Sequence, residues 1–352
     1  MKLNPWKFLM SIVLSFAGMS VPATTGFAAP ANPGYHFLKE IPIGGEGGWD
    51  YLTVDEKARR LYVTHDTKIV AVDLDTEKIV GEITNTPGVH GFALVPEYGV
   101  GLSSNGREGK LSLVDLKTLK TRSKAKAGLN PDAILYDSAS QQVYAFNGGD
   151  NTVTIVEGDD ADAVTSTKLP GKPEFAVVDP KAGRVYCNLE DRNSVAVIDT
   201  VSHKVVATWP IAPGEEPSGM AFDAAHHRLF LGCGGNRMMV MMDSSDGKVV
   251  ASVPTGAGVD ANAFDPATQL AFSANGEGNV TIAHEDSPNA LTVVQTLVTR
   301  RGARTMALDP KTHKIYLAVA EYEPVATPGA NTPGQPAQVI PGSFKILVYG
   351  ME

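Results

Sequence analysis

The chain is poor in cysteine. Two thiols in 352 residues, neither in a CxxC pair, cannot build a disulfide scaffold or a cysteine-rich zinc site. It is also short of positive charge. Thirty Lys and Arg stand against 39 Asp and Glu, a formal charge of −9, which opposes nonspecific nucleic-acid binding because phosphates must be neutralised. There is no GxSxG elbow, no HExxH, no P-loop and no dinucleotide fingerprint. The GxG fragments fall in hairpin loops rather than between strand and helix. The apolar stretch Phe8 to Gly18 is too short to span a bilayer. With 43% hydrophobic residues, the composition nevertheless fits a packed, globular chain. Glycine (35) and proline (23) are abundant and point to many turns.

The N-terminus reads as an address. Lys2 and Lys7 precede the apolar stretch, and Gly26 and Ala28 occupy the −3 and −1 positions of a cut after Ala28. Residues 1–28 are therefore expected to be a signal peptide, with no transmembrane span after cleavage, and residues 29–352 a single domain in the periplasm or secreted. An uncleaved N-terminal anchor is the other reading. Cleavage removes two lysines and no acid, taking the charge from −9 to −11. Cys187 and Cys233 are expected to be free and buried, because equal strand parity from their repeat anchors aims only one of them at the other's sheet.

Self-similarity is the strongest signal. A turn after a short apolar strand recurs at Asp55, Pro96, Asp137, Asp179, Asp223, Asp265 and Asp309, at spacings of 41 to 44 residues. Asp starts such turns by bonding its own downstream backbone, and Pro presets φ. After each anchor come a β-branched and aromatic strand (RLYVT, QVYAF, RVYCN, KIYLA), a Gly/Asn-rich loop, a third Val/Ile-rich strand and a more polar fourth strand. Near-continuous Val/Ile runs imply strands covered on both faces. Four strands repeated at about 42 residues define a β-propeller blade. The expected fold is all-β, a seven-bladed propeller of four-stranded antiparallel blades, with repeats starting near 49, 89, 131, 173, 217, 259 and 303. Blade seven lacks a fourth strand, and residues 35–43 (YHFLKEIPI) have no blade of their own. They are expected to complete it and remove the open edge.

The segment LYVTH at Leu61 with AVDLDTEKIVGEI, and RVYCNLEDRNSVAVIDTVSHKVVATW, resemble the YVTN repeat of YncE-like seven-bladed propellers. The resemblance covers roughly residues 35–352. It implies export to the bacterial envelope or surface and binding or surface roles. Some members are described as DNA-binding, a property that the acidic balance here opposes.

Five residues before each anchor lies a ring expected at the channel mouth: Asp50, Gly91, Asp132, Glu174, Ser218, Asp260 and Arg304, with Trp49 and His90 one position earlier. Four carboxylates, an Arg and a His converging on one axis could hold a hard cation. With His90 and His65 they could suit a transition metal, and Arg304 could hold an anion. Hydrated, ion-paired groups without function are the plain alternative. Charges in the second-to-third strand loops (Arg107, Glu190, Asp191, Arg192, Arg237) either read a polar ligand or solvate that face. Residues 321–343 form a long loop rich in proline, a lid or an insertion, with Glu321, Tyr322 and Glu323 at its base. The methionines of RMMVMMD, Arg237 to Asp243, read as core filling. His226, His227 and His313 read as exposed turn residues on the opposite face.

These features point to an exported binding or scaffold protein, expected to be a monomer. It would recognise a small polar ligand or protein partner through Asp50, His90, Asp132, Glu174, Asp260 and Arg304. One alternative is a metal-assisted lactonase or lyase, whose only indicated cofactor is a divalent metal on His65, His90 and Glu174. The other is a periplasmic accessory protein of a redox system. Deleting residues 35–43 should sharply lower the melting temperature. An unchanged melt would refute closure by this segment.

Overall fold

The computed structural model describes residue 1, residues 31–323 and residues 339–351. The expected signal peptide lies outside the described residues, apart from residue 1. Among the described residues, no helix is long and apolar enough to cross a membrane. The fold is a seven-bladed propeller of four-stranded antiparallel sheets, with two single-turn 3-10 segments as its only helical pieces among the described residues.

In blade one the strands run Trp49–Asp55, Arg60–His65, Lys68–Asp73 and Ile79–Thr84 from axis to rim. Later blades begin with Val89–Val95, Pro131–Asp137, Pro173–Asp179, Pro217–Asp223, Val259–Asp265 and Met306–Asp309. Second and third strands are buried almost throughout, whereas fourth strands are largely open to solvent. Seven apolar clusters lie between sheets, one at each blade interface. Cys187 and Cys233 are free and buried at different interfaces. Met239 and Met241 pack toward blade six and Met242 toward blade four, which divides this apolar strand between two cores.

The ring closes through the N-terminal strand His36–Pro42, which pairs antiparallel with Lys345–Gly350 as the outermost strand of blade seven. Tyr35 locks its start. The ring is buried against Phe272, the hydroxyl donates to the His313 carbonyl at 2.6 Å, and the backbone exchanges two hydrogen bonds with the Gln295 amide.

The first-to-second strand turns share one backbone signature. The residue at Arg59, Gly99, Gln141, Gly183, His227, Gln269 or His313 has φ between 53° and 64°, the left-handed conformation of a bulged hairpin turn. This equivalence corrects the sequence register in blade two. Its turn starts at Val95, not Pro96, because Val95 pairs with Val100 as Asp55 pairs with Arg60. Three of these left-handed residues reach back to the anchor aspartate of the preceding blade. Arg59 forks onto Asp309 at 2.9 and 2.8 Å across the closing seam. His313 meets Asp265 at 2.6 Å, and His227 lies 3.9 Å from Asp179. These histidines therefore face buried aspartates of the preceding blade as well as solvent.

Asp309 is fully buried in that fork. Burial alone would push its carboxyl up, but the hydrogen bonds from Arg59 and Thr312 outweigh it and hold it below the usual range. A depressed carboxylate pKa stabilises the fold above the unfolded-state value and loses that contribution as pH falls through the folded value. Asp309→Asn should cost about 3 kcal/mol at pH 7, as expected for breaking one side of a buried pair. In urea titrations the deficit should shrink toward pH 3. A pH-independent deficit would refute the electrostatic origin.

Candidate functional site

The innermost strands break their ladders at the mouth. In blades one to six the register shifts at a bulge, next to the pairs Trp49–His65, Val89–Asn105, Pro131–Asn147, Pro173–Leu189, Pro217–Cys233 and Val259–Asn275. A bulge adds a residue to one strand and re-aims its side chain. The re-aimed positions are Asp50, His90, Asp132, Glu174, Ser218 and Asp260. In blade seven Arg304 precedes the strand. His90, not Gly91, is thus the ring residue of blade two. Second-strand groups clamp the bulged backbone: Thr64 bonds Asp50 and Tyr51, Ser104 bonds Gly91, and Asn188 bonds the carbonyls of Ser218 and Gly219.

The ring side chains fall into three contacting groups. His90 Nδ1 lies 2.6 Å from Asp50 Oδ2 and 3.6 Å from Asp132 Oδ1. Asp260 meets Arg304 Nε at 3.1 Å and accepts from the Ser218 hydroxyl at 3.1 Å. Glu174 pairs with Lys172 at 2.6 Å, and Lys172 also pairs with Glu190. Asp132 differs: its Oδ1 is buried and has no hydrogen-bond partner.

Crowding of like charge shows in the proton affinities. Asp132 is pushed up to about 7 by burial and by Asp50, against the pull of His90. Glu174 also rises to about 7, through burial and Asp132, although Lys172 opposes it. Asp260 is raised by burial in spite of Arg304. Burial lowers the His90 imidazole, but its bond to Asp50 and the charges of Asp132 and Asp50 win and bring it to about 9. At neutral pH His90 is therefore a cation, while Asp132 and Glu174 are poised to exchange protons.

Sequence reasoning missed the floor of the site. Tyr51, one residue below Asp50, crosses the axis from blade one. Its ring meets Phe175 edge-on at 5.1 Å and joins the apolar core between blades three and four. The corresponding residues of the other blades are Gly91, Ala133, Gly219, Ala261 and Thr305, small enough to leave room. A Cβ on Gly219 would stand 2.7 Å from the Asn262 backbone nitrogen. Two aromatics among five small residues was the available signal. Burial and the charges of Asp132, Asp50, Asp260 and Glu174 hold the Tyr51 hydroxyl far above its ordinary range, so it stays protonated beneath the ring.

Beside the ring lies an open cavity of about 410 Å³, lined by Trp49, Arg304, Tyr322, Val339 and glycine backbone. Tyr322 pairs with Val339 across the long loop and faces Trp49 at 6.4 Å. Of the expected loop-base residues, Tyr322 reaches the mouth. Glu321 turns to Lys345 at 2.9 Å, and Glu323 is exposed. The lid reading rests on residues 324–338, outside the described residues. His65 is a correction. It is buried and stacked on Phe344 at 4.4 Å, between blades one and seven, and does not join His90 and Glu174. The mouth donors that lie within 4.8 Å of one another are Asp50, His90 and Asp132. Arg107 pairs with Asp66, and Arg192 with Asp191, so these loop charges are largely engaged with one another.

Fold and site together define a seven-bladed β-propeller with a charged cup at one end of its axis. No protein-family model and no curated protein matches the chain. Among solved structures it is similar to hydrazine synthase of Kuenenia stuttgartiensis, at a TM-score of 0.51 and 18% identity, over 67% of this chain and 95% of that one. At that identity the likeness shows the fold alone.

A carboxyl pKa raised on folding makes the folded state lose stability as pH climbs from the unfolded value through the folded one. Asp132→Asn should therefore raise the melting temperature by a few degrees at pH 8 and leave it nearly unchanged at pH 4. A gain of equal size at both values would show that charge crowding is not the cause.

Proposed function

We propose that the chain is a binding or scaffold propeller of the YncE-like type that recognises a small polar ligand at the channel mouth. The observation that carries this reading is the unequal treatment of the ring carboxylates. Asp50, Glu174 and Asp260 each have a cationic partner within 3.1 Å, whereas Asp132 keeps an oxygen buried and unbonded. A desolvated acceptor without a partner is costly, and a ligand donor removes that cost. The ligand class is a small molecule with a cationic or hydrogen-bond-donating head. The head is drawn to Asp132 and Glu174, and the apolar part lies against Trp49 and Tyr322, which favours a cation through the ring faces as well. Export to the periplasm or beyond belongs to this proposal and rests on the residue pattern of positions 1–28. Action as a monomer belongs to it too.

A second reading, a metal-assisted lactonase or lyase, draws on the close grouping of Asp50, His90 and Asp132. Those residues fit a divalent ion by donor type. When bound, the ion would polarise a carbonyl, and Glu174 would stand near as a proton-exchanging group.

Titrating the chain with 1,4-diaminobutane at pH 8, followed by calorimetry, tests the first reading. Saturable binding at least tenfold weaker in Asp132→Asn is expected. Equal affinity in the variant, or no binding, refutes it. One saturable equivalent of Mn²⁺ that is lost in both Asp132→Asn and His90→Gln would favour the second.

A further inference from the structure

Blade six departs from its neighbours on the face opposite the mouth. Its outer hairpin runs Asn279–Ser287 and Ala290–Val298, nine residues per strand, whereas the third strand of blade five has six. The extension leans on blade five. Arg228, 7% exposed, donates through Nε to the Pro288 carbonyl and through Nη1 to Asp243 at 2.7 Å. Its remaining contacts are the His227 carbonyl and the Asn289 side chain.

The extension carries Glu285 into this contact. The Glu285 side chain is fully buried, and neither carboxylate oxygen has a hydrogen-bond partner. It faces the first turn of blade five. There His226 Nδ1 lies 2.7 Å from Asp223 Oδ2 and 3.2 Å from Glu285 Oε1, yet this nitrogen makes no hydrogen bond. One imidazole nitrogen and two carboxylates thus converge within 4.8 Å. Two buried carboxylates this close need either a shared proton or a cation between them. Arg228 adds favourable charge, but its donors are spent elsewhere.

We propose that Asp223, His226 and Glu285 bind a divalent transition-metal ion of the zinc or manganese class, which ties the extended hairpin of blade six to blade five. A mixed nitrogen and oxygen set suits such ions better than the all-oxygen sets of calcium or magnesium. Bonds of about 2.0–2.2 Å place neighbouring donors about 3 Å apart in an octahedral site and about 3.4 Å apart in a tetrahedral one, and the two separations at His226, 2.7 and 3.2 Å, lie around the octahedral spacing. The His226 side chain is 38% exposed, although its Nδ1 and both Glu285 oxygens are buried. The site shares no residue with the mouth and stands or falls separately from the function proposed there.

The test uses chelator-stripped protein carrying Asp132→Asn, so that the mouth is silenced. It is titrated with Zn²⁺ and Mn²⁺ by calorimetry and with Co²⁺ by visible absorption. One equivalent should bind and raise the melting temperature by several degrees. Adding Glu285→Gln or His226→Gln should weaken binding at least a hundredfold and abolish the thermal shift. Glu285→Gln keeps the side-chain shape while dropping its charge, so its metal-free melt should equal or exceed that of its parent. Retained affinity in both variants overturns the proposal. So does the absence of binding by all three ions at micromolar concentration, in which case a proton shared by Glu285 and Asp223 neutralises the pair.

Discussion

A twisted four-stranded sheet with two apolar faces has no stable existence alone, and every blade here depends on two neighbours. The ring must close for the first and last blades to gain their second neighbour. The seam between blades seven and one carries that burden with unrelated chain segments. Ile41 and Phe344 fill its core, and the Arg59–Asp309 fork pins its far edge. At the mouth end, Phe344 stacks on both Trp49 and His65. Trp49 also walls the cavity beside the ring. Closure and the proposed recognition site therefore share side chains, and a ligand seated on Trp49 would sit on the seam.

The second constraint is the repeated bulge. Without it, the residues at the mouth would alternate strictly between the two faces of each blade, and their polar side chains would enter the blade interfaces. The extra residue turns one side chain in each of blades one to six toward the axis, and Tyr51 with Phe175 fills the space below. Polar groups are thereby gathered over an apolar floor, where each carboxylate is partly desolvated. Burial makes Asp132 and Glu174 give their protons up late, while Asp50 and Asp132 overcome the burial of His90 and let it gain one.

Blade number, strand order and closure were legible in the sequence because they depend on apolar blocks and turn residues that each repeat carries locally. The one misread register had a local cause. In DPK and DPA turns the aspartate opens the turn and proline follows it, as in Asp179–Pro180 and Asp265–Pro266. The same geometry in blade two places Val95 first and Pro96 second, where proline presets φ. Aligning prolines with prolines would have put His90 in the ring. His65 was not legible as a packing residue, because its neighbour Phe344 lies nearly 280 positions away. Tyr51 required knowing that small residues face it across the axis. Glu285 required knowing that the blade six hairpin runs longer than the others.

The two ends of the axis treat the same side chain in opposite ways. Asp73 and Asp199 sit in hairpin turns where backbone and hydroxyl donors of Thr76 and Ser202 hold them below their ordinary range. The anchor Asp309 is held low by Arg59 and Thr312 although it is buried. Turn geometry supplies those donors automatically, so much of the acceptor capacity of acids there is committed to structure, with Asp223 also facing His226 and Glu285. A bulge supplies no such donors to the side chain it redirects. Asp132, Glu174 and Asp260 are accordingly buried with too few partners, and burial dominates. What separates a structural acid from an available one in this ring is thus the local backbone that carries it. By the same criterion Glu285, in a strand rather than a turn, belongs in character with the acids of the mouth although it lies at the opposite end.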